Sequence, residues 1–510
     1  MPKNHRSAVV CVALWLACAL PALAQEGFKK IQDRVTEHTL KNGLKLIILE
    51  RHEVPTVSFQ TYVDTGSVNE TRGITGMAHM FEHMAFKGTP VIGSKDYAKE
   101  KAALERLDST YEKYRAERLK GDKADPNKLK ELEAAFKSAQ EEASKYVDSD
   151  RFGKTISQAG GQGLNAFTQA DSTQYFYSLP SNKLELWMLL ESERFLRPVL
   201  RDFYKERDVV MEERRMRTES QPIGKLIEEV LSIGFKAHAY KEPTIGHMSD
   251  LQTLSRTEAE DFLRKHYVAS NMVIAIVGDV DPKEVIRLAE TYFGRLPKVP
   301  KPDPIHTVEP PQVGERRVTI YEQSQPIYVA AYHKPAASDK DDVVFDVMQD
   351  ILSQGRTSRL YRGLVRDKKI VSFAGGFNNF PGEKYPNMFL LFGITAPGHT
   401  NAEVEQAIDA EIERLKNEPI DDPTLRAVKT RAKAGLIRQL NSNSGLAFQL
   451  VNAEGKLGNW RQLFTQLDKI NAVTAADIQR VARQYFTRNN RVVGVLEPVQ
   501  KSAEQNEEKR

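Results

Sequence analysis

The sequence predicts an α+β chain: two homologous mixed α/β domains, each an antiparallel sheet packed with helices. They face each other across a linker, and the first carries an inserted helical hairpin. Three observations predict this. Segments with the two-residue alternation of strands recur between long stretches of helical periodicity, the mixture that packs helices on an antiparallel sheet. Prolines crowd residues 297–316 (Pro297, Pro300, Pro302, Pro304, Pro310 and Pro311), the composition of an extended linker. The segments before and after that linker also end alike. The first runs from a helix to Tyr267, Asn271, the strand Met272–Val277 and Gly278; the second runs to Tyr485, Asn489, Arg491–Val493 and Gly494. That is a repeat of about 220 residues.

Taken in order, residues 1–24 stand apart. Lys3, His5 and Arg6 precede an apolar run from Ala8 to Leu20, and Ala22-Leu23-Ala24 offers a cleavage site. This pattern reads as a secretory signal peptide, too short for a membrane span, and implies export to the periplasm or the cell exterior. Acylation of Cys18 would make a lipoprotein instead, but Trp15 is a poor fit to the leucine position of such a site. Cys11 and Cys18 both lie inside this segment. The mature chain therefore has neither disulfides nor thiolate ligands.

The first domain spans 25–296. Asn42-Gly43 is a hairpin signal between a segment starting at Val35 and the β-rich Lys45–Leu49. Further strands are expected at Thr56–Val63, Phe167–Leu179 and Met272–Val277, and helices at Leu184–Phe195 and Phe203–Thr218. Residues 97–146 are rich in Lys, Glu, Ala and Leu and are interrupted at Gly121–Asn127, which reads as the inserted helical hairpin. Its charges read as a solvated face, with partner docking as the alternative. A second strand-and-helix unit covers 317–498, and 499–510 is a charged tail.

Within the first domain, His79-Met80-Phe81-Glu82-His83 carries the chemistry. Histidines four apart lie on one helix face, the spacing a zinc ion needs to take two nitrogen ligands from one rigid element. Glu82 shares that face, where it can accept a proton from water that the metal activates. HxxEH is the inverse of the commoner HExxH order. Met77, Met80, Phe81, Met84 and Phe86 surround the histidines, and ionisable groups on a partly buried helix need partners. Lys87-Gly88 reads as a helix stop.

Without thiolates, the third ligand falls to a carboxylate. In Glu206-Arg207-Asp208-Val209-Val210-Met211-Glu212-Glu213, Glu206 and Glu213 are two turns apart on one face, while Glu212 is rotated by about 100°. Spacing alone leaves two readings open: a ligand with a supporting carboxylate, or a charged solvated helix. Composition excludes other classes. At 40% hydrophobic and 28% charged residues the chain is ordinary for a globular protein, and a net charge of +4 with no basic block interleaved with aromatics does not suit nucleic acid. No other stretch is apolar enough to span a membrane.

HMFEHMAFKGT (79–89), LNAFTQADSTQYFYSLP (164–180) and ERDVVMEE (206–213) resemble the pitrilysin/insulinase family of zinc metallopeptidases. The resemblance covers essentially the whole mature chain, including the duplicated-domain plan. It implies one Zn2+ per chain bound by His79, His83 and Glu213, with Glu82 as general base and Glu206 as the supporting carboxylate. The separation between His83 and Glu213 exceeds the family's usual one, and the inserted hairpin accounts for the excess. The family adds an extended peptide substrate to an edge strand, here Gly163, Leu164, Asn165, Ala166 and Phe167 through Thr168. Self-sufficient members also carry an Arg and, seven residues later, a Tyr in the second domain. Arg366 matches the first, but Phe373 stands at the Tyr position and has no hydroxyl. This implies a related heteromeric subunit supplying an Arg/Tyr pair, or otherwise a homodimer. The expected activity is zinc endopeptidase action on peptides or unfolded segments. Against it stand a non-catalytic structural or assembly subunit and a general zinc-binding protein of the periplasm.

Overall fold

Asn42-Gly43 turns the chain where the sequence predicts: Gly43 sits at φ +96, and the strands on either side pair antiparallel with Thr39 opposite Lys45. In the computed structural model, residues 29–499 are described. The signal peptide expected at 1–24, both cysteines and the tail from 500 on lie outside the described residues.

The first half builds one six-stranded sheet from β1 (Val35–Thr39), β2 (Lys45–Glu50), β3 (Thr56–Val63), β4 (Gln162–Thr168), β5 (Thr173–Pro180) and β6 (Met272–Gly278). Its order is β1-β2-β6-β3-β5-β4, antiparallel except for the β2–β6 pair. Its longer helices are α1 (Met77–Met84), the hairpin α2 (Tyr97–Arg118) and α3 (Pro126–Ser144), α4 (Arg151–Gln158), α5 (Leu184–Leu196), α6 (Phe203–Arg214), α7 (Pro222–Gly234), α8 (Arg256–His266) and α9 (Pro282–Tyr292).

The second half repeats the plan with five strands, β7 (Arg316–Glu322), β8 (Ile327–Lys334), β9 (Val371–Phe380), β10 (Asn387–Thr395) and β11 (Arg491–Pro498). Their order is β7-β11-β8-β10-β9, with β7 and β11 again the parallel pair. Its helices are α10 (Asp342–Ser353), α11 (Asn401–Asn417), α12 (Asp422–Gln439), α13 (Asn443–Leu457), α14 (Gln462–Ala472) and α15 (Ala475–Tyr485). Omitting β1, the two sheets have the same order. The α+β class and the two mixed units packed with helices are as the sequence predicts.

Several elements differ from expectation. Phe167–Leu179 is not one strand but β4 and β5, because the small polar turn at 169–172 reverses the chain without breaking the alternation around it. The helix expected over Phe203–Thr218 is α-helical only to Arg214 and widens into a π-turn at Arg215–Glu219, with no Gly or Pro at the transition to signal it. Helices α4, α7 and α9 are additions. The proline-rich stretch lacks regular structure up to residue 315, yet it is strapped down: Glu309 accepts hydrogen bonds from the Lys236, Ala237 and His238 amides.

The two halves are not closed units. Helix α7 of the first half packs Leu226, Val230 and Leu231 onto the second sheet, against Val329, Met388, Val492 and Leu496. Helix α13 of the second half packs Leu446, Leu450 and Val451 onto the first sheet, against Ile47, Leu49, Tyr62 and Val277. Each crossing needs a glycine: a Cβ on Gly494 would lie 2.3 Å from Val230 Cγ2, and one on Gly455 2.3 Å from the Tyr62 ring. Among the described residues no helix is long and apolar enough to cross a membrane.

Candidate metal centre

Helix α1 buries Met77, Ala78, Met80, Phe81 and Met84 in the first core, which turns the face bearing His79, Glu82 and His83 away from it. Its start is tightly held. Gly76 takes φ +85, with Ile245 O only 2.6 Å from where a Cβ would stand, and it has no capping side chain of its own. Glu70 supplies the cap from outside, accepting from the Gly76 and Ala78 amides at 2.7 Å each.

Helix α6 faces α1. His79 Nε2 lies 3.7 Å and His83 Nε2 3.5 Å from the same oxygen of Glu213, and a ligand atom from each of the three falls within 4.8 Å of the others. Glu213's second oxygen pairs with Arg217 at 2.6 Å. Glu206 lies 3.5 Å from His83 Nδ1 and is itself held by Lys87. A carboxylate on Nδ1 fixes the tautomer of His83 and leaves the Nε2 lone pair free for a metal held between it and Glu213. Glu82 accepts from Thr168 Oγ1 at 2.7 Å, tying the base candidate to the end of β4.

Electrostatics sort these groups. Burial pushes His79 down to about 3, helped by the positive charge of His83 and Arg217, so its imidazole is neutral. Burial works against charging His83 too, but Glu206, Glu82 and Glu213 outweigh it and raise its pKa. Burial raises the Glu82 carboxyl, with the Thr168 hydrogen bond acting against the rise. For Glu206, the bonds from His83 and Lys87 overcome burial and hold it below the ordinary range. The donor set fits a zinc ion: a neutral buried imidazole with Nε2 towards Glu213, an imidazole oriented by a carboxylate, and a carboxylate converging on both.

Beside the cluster, a cavity of about 350 Å³ is lined by Glu82, His83, Lys87, Glu206 and Asn165 among others. Asn165 belongs to β4, the terminal strand of the first sheet, with one edge unpaired among the described strands. Leu164 and Ala166 turn into the core on the helix side, and Phe167 turns the other way, its ring 6.1 Å from that of Phe448 on α13. Gly163, at φ +67, sits where the β4–β5 register shifts. The structure therefore brings together His79, Glu82, His83, Glu206 and Glu213, with the Gly163–Phe167 strand alongside. It does not bring Arg366 to them. Arg366 lies on the π-turn Tyr361–Asp367 of the second half, exposed and paired with Asp367 at 2.6 Å. Phe373, on the edge strand β9, is 54% exposed.

The sequence reading gives Glu70 and Arg217 no place, takes Lys87 only as a helix stop, and takes Thr168 only as the end of the substrate strand. Arg217 carried a signal, standing four residues beyond Glu213, whereas Lys87 lies past the end of α1 and reaches Glu206 only through the fold. Glu70 carried none, because its role comes from a loop folding back.

A family model described as "Insulinase (Peptidase family M16)" matches residues 46–109 and 135–247, and one described as "Peptidase M16 inactive domain" matches 253–431. The chain belongs to the M16 (insulinase) peptidase family. The first match covers α1 and α6, and it is interrupted over 110–134, the distal part of the hairpin. Among M16 relatives, the chain is 27% identical over 473 residues to "Zinc protease PqqE" of Helicobacter pylori, covering 90% of this chain and 92% of that one. It is 22% identical over 487 residues to a "Probable mitochondrial-processing peptidase subunit beta" of Arabidopsis thaliana, covering 92% and 79%. A crystal structure of a protease from Helicobacter pylori superposes with a TM-score of 0.76 at 26% identity, over 91% of this chain and 99% of that one. The sequence resemblance to the insulinase family thus holds, together with the two-domain plan.

Proposed function

We propose that this M16 protein is a zinc endopeptidase that hydrolyses peptide bonds in peptides or unfolded polypeptide segments. The observation that carries the reading is the convergence of His79, His83 and Glu213, with the Glu82 carboxylate on the same helix face. The zinc-protease names of its relatives support it. His79 and His83 from α1 and Glu213 from α6 would hold one Zn2+, with Glu206 orienting His83. When bound, the ion supplies Lewis acidity, polarising the scissile carbonyl and acidifying water.

The chain's own residues do the rest. An extended substrate pairs its main chain with the open edge of β4 at Gly163–Thr168, which gives affinity without a strict sequence requirement. The same pairing sets the scissile bond beside Glu82. Glu82 takes the proton of the attacking water and returns it to the leaving amine, a task suited to a carboxyl that burial makes more basic than a free one. Residues 1–24 support export to the periplasm or beyond. Phe373 in place of a hydroxyl donor, and a relative named as a subunit, support a related chain that supplies an Arg/Tyr pair. A homodimer is the alternative.

Glu82→Gln tests the mechanism. It should keep zinc while peptide hydrolysis falls by about 10²–10⁴-fold or more. His79→Ala and His83→Ala should lose both metal and activity. Unchanged cleavage by Glu82→Gln would sink the proposed role. A zinc-loaded chain that cleaves no unstructured peptide, alone or with a related partner, would favour the assembly-subunit reading.

A further inference from the structure

The family match breaks off at residue 109 and resumes at 135, so the outer part of the α2–α3 hairpin is an addition to the matched family pattern. It does not project freely. Tyr111 is buried, its ring 4.3 Å from that of Tyr204 and 5.2 Å from that of Phe136, which stands perpendicular to Tyr204 at 5.0 Å. Tyr204 belongs to α6. So does Arg207, whose buried guanidinium donates to Tyr111 Oη at 2.7 Å and to Leu254 O at 3.3 Å. That guanidinium lies 5.3 Å over the Tyr111 ring and 5.1 Å over the Tyr204 ring. Further out, Arg115 of the added segment pairs with Glu258 of α8 at 2.6 Å, and Arg118 donates to Gln252 at 3.0 Å.

Helix α6 thus has two working sides. Residues two apart point to opposite sides of a helix, so Tyr204 faces the hairpin while Glu206 faces His83. The π-turn follows directly after Arg214, and α6 has no side-chain cap at Asp202. Phe203 and Val210 bury α6 in the first core and Arg214 ties its last turn to Gly246 O and Glu228, and the docked aromatic face braces the helix from the hairpin side. We propose that the added segment 110–134 is a positioning element for the metal centre. On this reading Tyr111 and Arg207 clamp the back of α6 so that Glu206 and Glu213 meet His83 and His79 in ligating geometry. The inference rests on the zinc reading above and extends it to residues that touch neither metal nor substrate.

The test is zinc affinity of the metal-free full chain, by competition with a chromophoric chelator, alongside its thermal melt. Tyr111→Ala should weaken zinc binding by about tenfold, the size seen when groups that orient ligands are removed. Tyr111→Phe keeps the ring stack and should recover most of that loss. Replacing 110–134 by a short Gly/Ser turn should weaken binding at least as much. As a control for general destabilisation, Ile408→Val in the second core should lower the melt and leave zinc affinity unchanged. A folded Tyr111→Ala protein with wild-type zinc affinity overturns the proposal, whether or not the shortened chain folds. So does an equal loss of affinity in Ile408→Val. A wild-type chain that binds no zinc overturns the underlying reading as well.

Discussion

At the residue scale, the candidate base is tuned by one hydroxyl. Burial raises Glu82, and the Thr168 Oγ1 bond opposes that rise by stabilising the carboxylate. A base works only when ionised, so activity is lost as pH falls through its pKa. Thr168→Val keeps the shape and removes the donor, so the Glu82 pKa should rise further and the acid limb of the kcat/KM profile should move to higher pH. A profile that stays in place, or moves down, would show that Thr168 does not set the base. The histidines and Glu82 were legible because their spacing is a local, helical property, whereas spacing left Glu213 open between a ligand and a solvated face and only the resemblance singled it out. Thr168 was read only as the end of a substrate strand, since its contact with Glu82 spans 86 residues of sequence.

At the scale of elements, α1 is short, and its eight residues cannot hold a helix by propensity alone. Three contacts from outside fix it: the buried apolar face, the Glu70 cap, and Asp250, which accepts from the Gly73 and Thr75 amides just before it. Glu70 is buried and bonds two backbone donors, so Glu70→Ala leaves both amides unpaired. The cost should be about 2 kcal/mol, read as a lower urea midpoint at unchanged slope. Glu70→Gln, which retains one acceptor oxygen, should lose less. Equal stability of Glu70→Ala and wild type would mean that water replaces the cap. Element types were largely legible here, because strand alternation and helical periodicity are set by burial on one face. The reversal at 169–172 and the π-turn after Arg214 were not, because neither needs a residue type that interrupts the surrounding pattern.

At the scale of the molecule, the repeat could be read from matching ends, but not the exchange of helices between its halves. The periodicity of Leu226, Val230 and Leu231, or of Leu446, Leu450 and Val451, shows that an apolar face exists; it does not say which sheet covers it. The exchange makes the halves interdependent. Polar contacts reinforce it: Asp171 accepts from the Glu383 and Lys384 amides, and the Lys384 ammonium pairs with Asp64. Without α13, the first sheet would expose Ile47, Leu49, Tyr62 and Val277, which are buried to 1% exposure or less. Each such side chain is worth about 1.5–3 kcal/mol when fully buried. Four together reach the order of 10 kcal/mol, comparable to the whole stability of a typical domain. Residues 25–296 expressed alone should therefore bind a hydrophobic dye and lack a cooperative melt, while the full chain unfolds in one calorimetric transition. A soluble, cooperatively melting first half would overturn this. Such a half would also give the metal centre an independent scaffold. If the halves fold only together, changes on α13 or Gly455 should reach the zinc site through β3 and the strands beside it.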